Sequence, residues 1–133
     1  MISVALARDL RDAGLRWDPA PGDRFVVADR GMDDEVFTLA EMTVDVHDFP
    51  TGRVIGFNGT VEWALDSVRA QQCVWLPSEE QLRDKLAGTF RSLQRDDGRW
   101  VVRTVVGTGG HEAAADVAAD AYALALLHLI TGE

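Results

Sequence analysis

Cysteine is almost missing from this sequence: Cys73 stands alone among 133 residues. One thiol excludes an internal disulfide and any zinc site built on paired cysteines. No histidine or basic residue stands near Cys73 to lower its pKa, so it is expected to pack rather than to act as a nucleophile. Lysine is as scarce, with Lys85 set against twelve arginines. With the abundant Ala, Val, Asp and Gly, that bias points to a GC-rich genome rather than to a function. The longest apolar run, residues 121–130, is broken by His128 and is too short to span a bilayer. The amino terminus shows no basic region followed by an apolar run and a small-residue cleavage site, so no signal peptide is expected. The expected compartment is the cytoplasm.

Reactive motifs are missing too. Ser67 and Ser92 lie in no Gly-x-Ser-x-Gly elbow. Gly107-Thr108-Gly109-Gly110 follows a predicted strand, but Glu112 stands where a dinucleotide fingerprint needs its third glycine. No Gly-Lys-Ser/Thr is present for a phosphate-gripping loop. A plain hairpin turn is expected there, and no nucleotide, metal or other cofactor.

What the sequence does have is acid. The net charge is −9. Thirteen acidic and six basic side chains fall in residues 1–66, against nine and seven in 67–133. Residues 18–48 hold nine of the acids, from Asp18 and Asp23 to Asp45 and Asp48. Such a surface repels phosphate, which disfavours nucleic acid and anionic membranes as partners.

A chain of 133 residues with 47% apolar side chains is the size of one domain with an ordinary core. Ser3 can cap a helix over residues 4–13 with a Leu6/Leu10/Ala13 stripe and a stop at Gly14. Residues 25–28, 35–39, 42–47 and 53–57 read as short strands. They form an antiparallel meander with an apolar face inward and an acidic face outward. A short helical segment is expected from Gly59 or Thr60 to Val68, followed by an extended piece at residues 74–76.

The strongest local pattern is Ser78-Glu79-Glu80-Gln81, a capping box that opens a helix. Leu82, Leu86, Phe90 and Leu93 recur at helical spacing and extend that helix to Asp96-Asp97-Gly98. Trp100, Val102 and Thr104 alternate with Val101, Arg103 and Val105, so residues 99–106 are a strand whose wetter face carries Arg103. His111 to Ala115 is its hairpin partner. Asp116 caps a last helix, whose buried side is Ala118, Ala121, Tyr122, Ala125, Leu126, Leu129 and Ile130. The fold expected is therefore a single α+β domain over 1–133. Its mainly antiparallel sheet, an N-terminal meander plus a C-terminal hairpin, is packed by two to four helices.

The candidate site lies in the first half. Asp45 and His47 share one face of a strand, a spacing that could bring a carboxylate and an imidazole to one metal, but two donors are too few for a metal site. With Asp48, Asn58, Glu62 and Trp63 they form a polar, aromatic stretch that suits a basic protein partner. Nothing in the pattern brings His111 and His128 together, and His128 is placed to meet the negative end of its helix.

Whole runs carry a resemblance. Gly22-Asp23-Arg24-Phe25, Met42-Thr43-Val44-Asp45-Val46-His47, Gly56-Phe57-Asn58-Gly59-Thr60-Val61-Glu62-Trp63-Ala64-Leu65, Trp75-Leu76-Pro77 and Ala121-Tyr122-Ala123-Leu124-Ala125-Leu126-Leu127 resemble a family of small actinobacterial proteins sometimes tied to pilus assembly. The resemblance implies no reaction and no site. The last third is also similar to small phage-type sandwich domains. The expected function is a non-catalytic cytoplasmic binding or adaptor protein whose acidic surface meets a protein partner, with homo-oligomerisation left open. The alternative is a small-ligand-binding protein or small enzyme with a pocket between the meander and the last third.

Overall fold

The computed structural model describes residues 1–27, 32–39, 45–49, 52–56, 67–69 and 73–132; for 32–34, 45–49, 52–56 and 67–69 it describes the backbone alone. The chain is α+β, and it divides into two compact units, Arg16–Leu76 and the combination of Met1–Leu15 with Pro77–Glu133. No helix among the described residues is long and apolar enough to cross a membrane.

In the unit Arg16–Leu76 the strands are β1 (Arg24–Val27), β2 (Met32–Thr38), β3 (Asp45–Phe49), β4 (Gly52–Gly56), β5 (Ser67–Arg69) and β6 (Cys73–Leu76). They are shared between two antiparallel sheets, ordered β2-β1-β6 and β3-β4-β5. Val68, expected at the end of a helical segment, instead pairs with Ile55 in β5. Residues 57–66, which hold the rest of that segment, lie outside the described residues.

Aromatic packing holds the β2-β1-β6 sheet. Phe25 lies opposite Trp75 on one side and Phe37 on the other. Trp17 stacks on Trp75 with ring centroids 6.5 Å apart. Leu39 and Cys73 join Trp17, Phe25 and Val27 in the core. Cys73 packs there as expected, buried and in no disulfide. Asp23 belongs to the acid-rich stretch, yet only 5% of it is exposed. Its carboxylate accepts from Trp17 Nε1 at 2.9 Å and from the Ala20 amide at 3.0 Å, as a buried charge requires.

The other unit holds α1 (Val4–Asp12), α2 (Glu79–Leu86), β7 (Phe90–Asp96), β8 (Arg99–Val106), β9 (Gly109–Ala115) and α3 (Ala118–Thr131). Its sheet is ordered β7-β8-β9. Ser3 caps α1 by accepting from the Leu6 amide. Ala7 and Leu10 are the buried residues of α1, while Leu6 and Ala13 are only half-buried. Both halves of the expected capping box are present on α2: the Gln81 amide donates to Ser78 Oγ at 3.2 Å, and the Ser78 amide donates to Gln81 Oε1 at 2.9 Å.

α2 ends at Leu86, earlier than its apolar spacing predicts. Ala87 has φ +52° and a single 3-10 turn, Ala87–Thr89, leads into β7. Phe90 and Leu93 therefore belong to a strand. Their three-residue spacing comes from a bulge: Phe90 lies opposite Thr104 and Leu93 opposite Val102, with the register shifted between Phe90 and Ser92. One extra residue in a strand brings positions three apart onto one face and so imitates a helix. Asp97 and Gly98, both at positive φ, form the two-residue turn to β8. Such a turn matches the twist of its strands when both central residues reach the left-handed region, which Gly and Asp do readily.

The second hairpin turns at Gly107 and Thr108, with Val106 opposite Gly109. Val102 and Thr104 are buried and Arg103 is exposed, so the sheet faces the way its alternation predicts. Asp116 does not cap α3. The N-cap is Val117, with no side-chain bond, and Asp116 lies 3.5 Å from Arg99 instead. Asp120 serves that end of α3, accepting from the Ser3 amide at 2.7 Å and so tying α1 to α3. Ala119 and Ala123 are buried in addition to the expected stripe, because α1, α2, β8 and β9 all pack on α3. Small side chains let those elements approach closely. Leu129 is half-buried, and Ile130 is exposed rather than inward-facing.

Candidate functional site

β9 returns into α3 through Asp116 and Val117, so the helix runs back along the strand. This brings His111 in β9 beside His128 in the last turns of α3. Their rings lie parallel, 3.6 Å between centroids and 4° between planes. Neither Nδ1 has a hydrogen-bond partner among the described residues, although both atoms are buried. Burial pushes the His111 imidazole below its ordinary value, and the adjacent His128 lowers it further.

The two rings form one wall of a groove of about 380 Å³ between β9 and α3. Ala113, Leu124 and Leu127 give it an apolar floor; Glu112 also borders it, but strand alternation turns its side chain to the other face of the sheet, opposite Arg103. The Thr131 hydroxyl, also at the groove, donates to the Leu127 carbonyl at 2.8 Å. Leu124, Leu127, His128 and Thr131 are spaced three and four apart, so they project from one side of α3.

The stack is poorly arranged for one metal ion. Parallel rings send their in-plane lone pairs along parallel lines, whereas shared coordination needs them to converge on a point. No group of three His, Cys, Asp or Glu side chains that could hold a metal occurs among the described residues. What the groove offers is an apolar floor and two imidazoles able to donate or accept.

The chain matches no family profile, no curated protein and no solved structure. Residue chemistry therefore carries the functional reading alone.

Of the residues singled out in the sequence, Asp45, His47 and Asp48 fall on β3, where the backbone register sets them opposite Gly56, Val54 and Arg53. Asn58, Glu62 and Trp63 lie outside the described residues. His111 and His128 are not grouped by the sequence, since they belong to different elements and no local pattern links them. The signal that could have joined them is topological. A helix returning antiparallel along the strand before it places the start of one beside the end of the other.

Proposed function

We propose that this chain is a non-catalytic cytoplasmic binding or adaptor protein whose acidic surface recognises a protein partner. The observation that supports this most is the β9–α3 groove. It combines an apolar floor with a few convergent polar groups, the pattern of a recognition site. Its side chains bring no nucleophile beside a base, and its threonine hydroxyl is committed to the Leu127 carbonyl. The net charge of −9 favours a basic partner and speeds its approach.

The test uses the full chain. Partners captured from the native host are purified and titrated back, while a thermal-shift panel covers metals, nucleotides and common metabolites. The expected result is a stoichiometric protein complex that weakens as salt rises, with no small molecule raising the melting temperature by several degrees. A small-molecule shift of that size without any protein partner would reject the adaptor reading.

A further inference from the structure

Resting on that reading, we infer that the partner contributes an extended, basic peptide segment, which adds as a fourth strand to the outer edge of β9 and lays alternate side chains in the β9–α3 groove. Among the described residues the order β7-β8-β9 leaves β7 and β9 as edges. Open edges invite further strands, and proteins blunt them with bulges and charge. β7 is blunted in both ways, by its bulge at Phe90/Ser92 and by exposed Arg91, Arg95 and Asp96. β9 has no register shift, and apart from the paired His111 its one ionisable side chain is Glu112.

Hairpin geometry fixes which backbone groups on β9 are available. A two-residue turn closes on a hydrogen-bonded pair, here Val106 and Gly109. Gly109, His111, Ala113 and Ala115 then bond to β8, while Gly110, Glu112 and Ala114 turn their N–H and C=O groups away from it. Arg99 Nη2 already donates to the Ala114 carbonyl at 3.1 Å, so that oxygen is taken. Arg99 also lies near Asp116 and closes this end of the edge. The stretch from Gly110 to the Ala114 amide remains, long enough for an ordinary short strand.

Side chains of an added strand alternate between faces. Those on the helix side would meet Ala113, Leu124 and Leu127, with the imidazoles of His111 and His128 ready to bond polar groups. Ala113 leaves room where a larger residue would fill the groove. On the other face the added strand's alternate side chains would meet Glu112, which lies opposite Arg103; no described Lys or Arg lines the groove, and the chain as a whole is acidic. These features select a segment that alternates apolar residues with Arg or Lys. A second copy of this chain fits poorly. Antiparallel pairing of β9 with itself about its centre sets Glu112 opposite Glu112, and like charges directly opposite destabilise a sheet.

A phage library of random twelve-residue peptides, selected on the full wild-type chain, provides the probes. Enriched peptides are then synthesised with and without N-methyl groups on alternate amides. The expected result is alternating apolar and basic sequences, with binding lost when one register is methylated and kept when the other is. Gly110→Pro removes an outward N–H without touching the β8 ladder, and should weaken binding at least tenfold. Glu112→Arg should reverse the charge preference. If the methylated peptides bind undiminished and Gly110→Pro has no effect, strand addition is wrong while a binding groove survives. A native partner bound equally by Gly110→Pro rejects strand addition as well. Self-association of the wild-type chain that Gly110→Pro abolishes would give the edge to a second copy. If neither peptides nor a native partner bind, the binding reading itself falls.

Discussion

Asp23 holds two donors at once, Trp17 Nε1 and the Ala20 amide, inside the unit that Trp17 helps to fill. Asp23→Ala would remove the acceptor of the buried Trp17 Nε1, while exposed Ala20 can turn its amide to water, and the loss at the buried donor costs about 1–3 kcal/mol. A lower urea midpoint and red-shifted tryptophan fluorescence are expected; an unchanged midpoint would return Asp23 to the solubilising acids. His111 gives a pH dependence of definite sign. Its folded value lies below the ordinary one of about 6.5, so the native state binds fewer protons there than the unfolded chain. The stability this group contributes is present above about pH 6.5 and is lost as pH falls through the folded value. His128 stacks against it, Glu112 follows it in the chain with its side chain on the other face, and no described Lys or Arg lines the groove. Urea midpoints at about pH 7.5 and 5.5 should fall in the wild type and fall less in His111→Gln. Equal falls would place the sensitivity elsewhere.

Among elements, α2 is the shortest described α-helix, and its start comes from local sequence. Ser78 and Gln81 set its start, and removing the cap with Ser78→Ala should cost about 0.5–2 kcal/mol. Leu86, fully buried in its last turn, should cost about 2–5 kcal/mol as Leu86→Ala. Chemical denaturation measures both, and Leu86→Ala should be the larger. If Leu86→Ala leaves the midpoint unchanged, the wrong face of α2 has been placed inward. The strand that follows shows why Phe90 and Leu93 mislead: periodicity records which residues face the core, and a bulged strand can present the same spacing as a helix. The pair Asp97-Gly98 is the better local signal, because that dipeptide between apolar runs marks a two-residue hairpin.

For the whole molecule, charge and contact separate in kinetics. Asp45→Arg and Glu62→Arg, made in the acidic first half, should slow association with a basic partner and flatten its salt dependence. Glu112→Arg on β9 should mainly speed dissociation. Surface plasmon resonance at two salt concentrations distinguishes them. If Asp45→Arg and Glu62→Arg speed dissociation as strongly as Glu112→Arg, the partner touches the first half directly. Local sequence by itself determined the α2 cap, the 107–108 turn and the β8 alternation with Arg103 outward, because each depends on neighbours within a few residues. It also set the excess of acid. Only tertiary structure decided that Asp23 is buried, that Asp120 rather than Asp116 serves the start of α3, and that Ile130 is exposed. The same holds for the meeting of His111 with His128. Those outcomes depend on which elements pack side by side, and the register of a returning helix against its strand is set by the packing of the whole unit, not by the residues next along the chain.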